Sequence, residues 1–377
     1  YLYYRIKNTM GKRTASRMSP INIIEERHWS EDMPIRIAGV ASLDYIRLHK
    51  KYSFKDEPSY KLDSLGEKYV DQKKIEYEGS LDRLFAEDKE KFIEYNFVDV
   101  LILKKLDEKF KYIELTKNLA HKGKILYEEV YQSSRIHDGA ISSWLISQNI
   151  VPPNKELNPI TKKNYAGGYL FCPKTGIYNY MFDEDLTSLY PSIIMSLNIG
   201  KETYLGRVLD SFNDRNNRLG LNDLESRVAE DPESTLPLEN TARKIQNTRV
   251  SDIIDKVKNH NLTITANGVM FRTDKKSVLS VILSKWFDER VKYKNAMKKA
   301  YQSGDKKEGE QNHLKQYTMK ILLNSLYGAT ALPSFRYGSV ILSEAITLSG
   351  QRIIQESALF ANTHMNKVLR NELKLEL

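Results

Sequence analysis

Lys320-Ile321-Leu322-Leu323-Asn324-Ser325-Leu326-Tyr327-Gly328 is the stretch from which the rest of this sequence can be read. At about 100° per residue, positions 320, 324, 327 and 328 share one helical face. That face carries a cation, an amide and an aromatic ring beside a glycine that permits close approach. The period predicts a helix over about Gln311–Leu326, and a second over about Val278–Gln302, joined by the polar turn Ser303–Glu310. On the earlier helix Arg290 and Lys294 stand at i, i+4. Two facing helices would present three cations to one polyanion, an arrangement suited to a triphosphate. Any one of these cations alone reads as solvated helix surface; the set around Lys320 does not.

A second stretch, Phe182-Asp183-Glu184-Asp185-Leu186-Thr187-Ser188-Leu189-Tyr190-Pro191-Ser192, predicts a strand (Gly176–Phe182) that ends in carboxylates and turns into a helix with Pro191 in its first turn. Carboxylates at a strand end can hold Mg²⁺, which takes hard oxygen ligands and keeps waters for substrate phosphates. Backbone N–H groups of the turn can bind the phosphates themselves. Acidic turns are common, so the residues following Asp185 carry the signal. A third anomaly is Asp99, four residues after Tyr95 in the apolar stripe Phe92, Tyr95, Ile102, Leu106, Phe110 and Ile113 of a helix predicted from Asp88 to about Lys117. A carboxylate facing a core must be paired, solvated or bound to a metal.

The whole chain sets the bounds. Its 377 residues suggest two or three domains of ordinary globular composition. No apolar run approaches the ~20 residues of a membrane span, and the single Cys172 removes a disulfide framework or a cysteine-based zinc site. The chain reads as soluble and intracellular. A net charge of +9 suggests a polyanionic partner, nucleic acid most simply. Between Lys285 and Lys320 ten Lys/Arg face five Asp/Glu, so more than half of that excess lies on the two predicted helices. No GxSxG or HExxH occurs, and Gly304–Gly309 has Glu310 where a phosphate loop needs Lys, so serine-hydrolase, zinc-hydrolase and P-loop chemistries are excluded. Elsewhere, residues 35–46 alternate like a strand after a hairpin arm and turn at Ile21–Pro34. Ala140–Gln148 reads as a helix stopped by Val151-Pro152-Pro153, 154–168 as a linker, and the polar stretch 207–260 as a surface insertion.

Taken in order, these pieces resemble a family B DNA polymerase. Asp185-Leu-Thr-Ser-Leu-Tyr-Pro-Ser-Ile is similar to motif A, Lys320-xxx-Asn324-Ser325-x-Tyr327-Gly328 to motif B, and Tyr95-Asn-Phe-Val-Asp99 to the third exonuclease motif. Tyr165-Ala166-Gly167-Gly168-Tyr169 resembles the segment between the exonuclease and polymerase parts. Leu43-Asp44-Tyr45, Asn198-Ile199 and Phe335-Arg336-Tyr337 are similar to T-even-type phage replicative polymerases.

The resemblance implies a mixed α/β (α+β) fold: an RNase H-like exonuclease portion (1–111), a connector (112–156), palm (157–276 and 333–377) and helical fingers (277–332). It implies two Mg²⁺ ions per active site, with Mn²⁺ able to substitute. Asp185 and the Leu186 carbonyl would bind metal in the polymerase site, and Asp99, with Tyr95 orienting water, in the proofreading site. Arg290, Lys294 and Lys320 would grip the triphosphate with support from Asn324, and the Ser188–Leu189–Tyr190 turn would bind phosphates. Tyr190 would also exclude a 2′-hydroxyl, Tyr327 and Gly328 would line the base-pair pocket, and Tyr165, Gly167 and Gly168 would meet DNA. Implied partners are primer-template DNA, dNTPs, a sliding clamp and other replisome proteins, in the cytoplasm of a bacterial host, with no membrane.

Three departures qualify this. The last aspartate is Asp305, so the Asp-Thr-Asp of motif C is absent; no Asp-x-Glu stands far enough upstream of Tyr95 to be the first exonuclease motif, and Asp231-Pro-Glu233 comes in the wrong order. The chain starts at Tyr1 without Met and stops within an amphipathic pattern, and so reads as an internal piece of a longer protein. Alone, it is expected neither to extend nor to degrade DNA efficiently. A nuclease without polymerase activity, an inactive DNA-binding polymerase-like subunit and a protein-primed member of the same family stand as alternatives.

Overall fold

A computed structural model describes residues 2–27, 34–53, 55–155, 165–172, 175–177, 185–209 and 219–365, in two units, Tyr1–Gln132 and Ser133–Leu377. The division falls inside the stretch read as a connector.

In the first unit, α1 (Leu2–Met10) and α2 (Lys12–Ser16) precede an antiparallel pair, β1 (Ile24–Glu26) and β2 (Ile35–Ile37), in register Ile24↔Ile37. The hairpin reading holds for these arms; residues 28–33 lie outside the described residues. The strand expected over 35–46 ends at Ile37. Asp44 accepts the Arg47 N–H at 3.2 Å and starts α3 (Tyr45–Tyr52), so an N-cap overrides the alternating pattern. Next come α4 (Leu62–Val70), α5 (Leu81–Glu87), α6 (Lys89–Phe110) and α7 (Tyr112–Gly123), followed by a 3₁₀ turn, Tyr127–Tyr131. Leu65 of α4 packs with Ile102 and Leu106 of α6. A Cβ on Gly66 would lie 2.9 Å from Ile102, so the approach of α4 to α6 needs glycine there.

The helix expected from Asp88 to about Lys117 is two helices. Lys111 adopts the left-handed conformation (φ 54°) and separates α6 from α7. In an unbroken helix Phe110 and Tyr112 would point to nearly opposite sides; the break lets their rings stack at 5.1 Å, both against His49. Ile113 is thereby turned out to 52% exposure, and of the expected stripe only Ile102 and Leu106 are fully buried.

The second unit opens with α8 (Ser133–Ser147), which starts at Ser133 rather than Ala140 and stops before Asn149, a left-handed residue (φ 56°). The expected linker at 154–168 and the strand Gly176–Phe182 fall partly outside the described residues, as do Phe182, Asp183 and Glu184. After α9 (Leu189–Ser196) come β3 (Tyr204–Val208), α10 (Leu221–Glu230), β4 (Thr235–Asn240), β5 (Ile245–Arg249), α11 (Val250–Asn259), β6 (Thr263–Ile264) and β7 (Val269–Phe271). The strands form one antiparallel sheet in the order β5-β4-β3-β7-β6.

This sheet overturns the reading of 207–260 as a surface insertion. Val208, Leu219, Leu224, Leu236 and Met270 are buried with Val250, Ile253, Ile254 and Val257 of α11 in one core. The apolar residues are few because one-sided strands and helices spend their other positions on solvent. The spacing 250, 253, 254, 257 is the amphipathic signal that marks α11 as packed.

Two 25-residue helices, α12 (Val278–Gln302) and α13 (Lys306–Thr330), follow, and α14 (Val340–Thr363) ends the described chain. The turn expected at Ser303–Glu310 is shorter, because Asp305 caps α13 by accepting the Glu308 N–H at 2.9 Å. Gly309 sits inside the helix, where its missing side chain admits the Tyr301 ring. This contact and Lys315 over Tyr293 at 5.8 Å fold α13 back along α12. Among the described residues no helix is long and apolar enough to cross a membrane.

Candidate active site

Asp185 and Leu186 are exposed at the entry to α9. Ser188 takes the left-handed conformation (φ 55°) at the helix N-cap, and Leu189 and Tyr190 begin the helix, with Pro191 inside its first turn. The α9 N-terminus thus offers backbone N–H groups without helical partners. Arg290 of α12 reaches this turn, its Nη1 donating to Ser188 Oγ at 3.4 Å. Its Nε is buried with no hydrogen-bond acceptor.

In the antiparallel register fixed by the Tyr293–Lys315 and Tyr301–Gly309 contacts, Arg290 and Lys320 lie at the same level of the helix pair. Lys294, Lys320, Asn324 and Gly328 are exposed, while Leu322, Leu323 and Leu326 of α13 are buried. The face read from periodicity is therefore the solvent face of α13.

Three tyrosines join the two motifs. The Tyr190 and Tyr327 rings lie 4.4 Å apart at 38°, and Tyr165 O–H is 3.5 Å from Tyr327 O–H. Burial, then the Tyr165 contact, pushes the Tyr327 hydroxyl well above the usual tyrosine range; burial raises Tyr190 too, so both stay neutral. A Cβ on Gly168 would stand 3.4 Å from the Tyr190 hydroxyl, and one on Gly350 would stand 3.0 Å from its ring. Gln351 Nε2 donates to the Gly167 carbonyl. Sequence reading missed Gly350 and Gln351: nothing local to α14 marks them, and only packing brings them under Tyr190 and beside Gly167.

In the first unit, Asp99 is paired. Lys74 Nζ lies 2.8 Å from Asp99 Oδ2 and 3.1 Å from the Tyr95 hydroxyl, while Asp99 Oδ1 is buried without a partner. Lys74, in the segment between α4 and α5, carried no sequence signal.

Asp185 and the Leu186 carbonyl are hard oxygen donors of the type Mg²⁺ takes. Among the described residues no group of three His, Cys, Asp or Glu side chains could hold a metal ion. Asp99 Oδ1 is a further carboxylate oxygen, buried and without a partner.

The sequence profile of DNA polymerase family B matches residues 126–377. The chain belongs to DNA polymerase family B. The DNA-directed DNA polymerase of Escherichia phage RB69 is 29% identical over 99% of this chain and 43% of its own length. That of Enterobacteria phage T4 is 27% identical over 98% and 43%. The likeness to T-even-type phage polymerases is thus shown over essentially the whole chain, which spans less than half the length of these curated relatives. The family B DNA polymerase of the archaeon Pyrobaculum calidifontis matches in structure with a TM-score of 0.62 at 15% identity, over 96% of this chain and 42% of the other; this likeness is one of fold. The mixed α/β fold agrees with it, and family B polymerases are generally metal-dependent.

Proposed function

We propose that this protein is a template-directed DNA polymerase, transferring a nucleotidyl group from a dNTP to a primer 3′-hydroxyl, with 3′-5′ proofreading in the full-length polypeptide. The observation that carries the reading is the junction of motifs A and B: Arg290 against Ser188, and Tyr327 against Tyr190. Asp185 and the Leu186 carbonyl would hold Mg²⁺, or Mn²⁺ in its place. When bound, two such ions would supply Lewis acidity that eases deprotonation of the primer hydroxyl and offsets charge on the α-phosphate and the leaving pyrophosphate.

The chain's own residues then have separable tasks. Arg290, Lys294 and Lys320 neutralise the triphosphate, Asn324 supports that contact, and the N–H groups at Ser188, Leu189 and Tyr190 bind its terminal phosphates. Tyr190 closes the sugar position against a 2′-hydroxyl. Tyr327 and Gly328 border the base pair, and Tyr165, Gly167 and Gly168 meet the primer-template. In the first unit Asp99 would bind metal and Tyr95 would orient water in the exonuclease site, and Lys74 pairs with the Asp99 carboxylate.

The domain plan follows the same reading: an exonuclease portion at 1–111, a connector at 112–156, palm at 157–276 and 333–377, and fingers at 277–332. The partners proposed are primer-template DNA, dNTPs, a sliding clamp and other replisome proteins, and the proposed place of action is the cytoplasm of a bacterial host.

The test is single-turnover incorporation of one dNTP by the full-length protein. Losing one well-placed donor to developing charge typically slows chemistry by about a hundredfold or more. Lys320→Ala is expected to slow incorporation by at least that; a rate near that of the wild type would refute the reading.

A further inference from the structure

His137 is fully buried in α8. Its Nε2 lies 3.0 Å from Ser325 Oγ in α13. Ser325 already donates its own proton to the Ile321 carbonyl at 2.6 Å. The hydroxyl therefore meets the imidazole as an acceptor, and Nε2 carries the proton. A serine bonded back to the i−4 carbonyl bends its helix slightly, and a second bond to the same oxygen fixes that rotamer.

The same imidazole packs against Trp286 of α12 at 5.6 Å and Phe335, after α13, at 6.3 Å. Trp286 is four residues before Arg290, and Ser325 lies between Asn324 and Tyr327. One ring thus touches both cation-bearing helices beside their functional face. Elsewhere α8 holds the segment that follows α13: Ser134 Oγ is 3.3 Å from Ser334 Oγ, Asp138 Oδ1 accepts the Arg336 N–H at 3.1 Å, and Ser142 Oγ is 2.9 Å from the Tyr337 hydroxyl. The helix is a strut, and the imidazole–hydroxyl bond is one of its contacts with motif B.

We propose that His137 is a positioning residue for nucleotide binding: its Nε2–H bond to Ser325 sets the roll of α13, and with it where Lys320, Asn324 and Tyr327 meet the nucleotide. The proposal rests on the reading of that face as a dNTP site. Packing against Trp286 and Phe335 is non-directional and would tolerate another ring. The bond to Ser325 is directional and would not.

The experiment titrates Mg²⁺ and a fluorescent dATP into the 377-residue chain, reading anisotropy, with thermal melting in parallel. His137→Phe keeps a ring and removes the donor; His137→Gln returns an amide N–H near the Nε2 position. A buried hydrogen bond transmitted in full corresponds to roughly tenfold in affinity. His137→Phe and Ser325→Ala are each expected to weaken binding by about that factor, the double variant no further, and His137→Gln to recover most of it. Wild-type affinity in His137→Phe, with Lys320→Ala weakened, would overturn the proposal and leave the nucleotide site standing. Lowered melting temperature with unchanged affinity would reduce His137 to a structural role and also overturn it. If the wild type shows no saturable binding, or Lys320→Ala binds as tightly as the wild type, the site reading itself fails and takes this proposal with it. Should His137→Phe not fold, Ser325→Ala decides alone, wild-type affinity there overturning the proposal.

Discussion

Asp99 and Asp185 have the same side chain and different surroundings. Asp185 stands in solvent at the start of α9, whereas Asp99 is half-buried against Lys74. A similar contrast governs the acid response of the first unit. Glu57, nearly inaccessible, accepts from Lys68 Nζ at 2.6 Å and from the Tyr69 hydroxyl, which hold its carboxyl below the ordinary value of 4.5. His49 beside it is pushed below its ordinary 6.5 by burial. Both folded pKa values are depressed. Each group's stability is therefore present above its unfolded pKa and is lost as pH falls, first below 6.5 for His49 and then below 4.5 for Glu57. We expect the melting temperature to fall between pH 7 and pH 5, and His49→Phe, which keeps the ring contacts, to flatten that first loss. A wild-type melting temperature that holds constant or rises over this interval would contradict the assignment.

At the scale of elements, two local devices hold the site's scaffold. Asp305 caps α13, and Asp305→Ala should lower stability by about 1 kcal/mol in urea unfolding, the usual worth of such a cap. An unchanged midpoint would mean that packing against α12 fixes the helix start without it. Gly268 turns β6 into β7 at φ 77°, with its N–H on the Thr265 carbonyl at 2.8 Å and the Val208 carbonyl where a Cβ would stand. Gly268→Ala should destabilise the second unit by roughly 1–3 kcal/mol, since it combines a left-handed backbone with a clash against a neighbouring strand. Loss of soluble protein, or a lowered urea midpoint, is the expected readout.

At the scale of the whole molecule, the candidate residues divide between the two units. Tyr95, Lys74 and Asp99 lie in the first, while Tyr165, Asp185, Tyr190, Arg290, Lys320 and Tyr327 lie in the second. The second unit also contains α8, the sheet and its own core. A polypeptide of residues 133–377 should therefore bind Mg²⁺ and a fluorescent dATP within about twofold of the whole chain, as expected of a unit with an independent core. A much weaker affinity would show that the first unit contributes to the nucleotide site.

What the sequence determined by itself was local. The Lys320 face follows from helical period, and the ordered motifs A and B and the third exonuclease motif by themselves point to the family. The tertiary structure decided what depends on distant neighbours. It split one expected helix at Lys111 so that Phe110 and Tyr112 could both pack on His49, and it folded the described residues of 207–260 into a sheet with a core. It also brought Lys74 to Asp99, Gln351 to Gly167 and His137 to Ser325. Periodicity is set by backbone geometry over a few residues and so is written in the local sequence. Ion pairs and buried hydrogen bonds form between residues far apart in the chain, and their partners are fixed only when the elements pack.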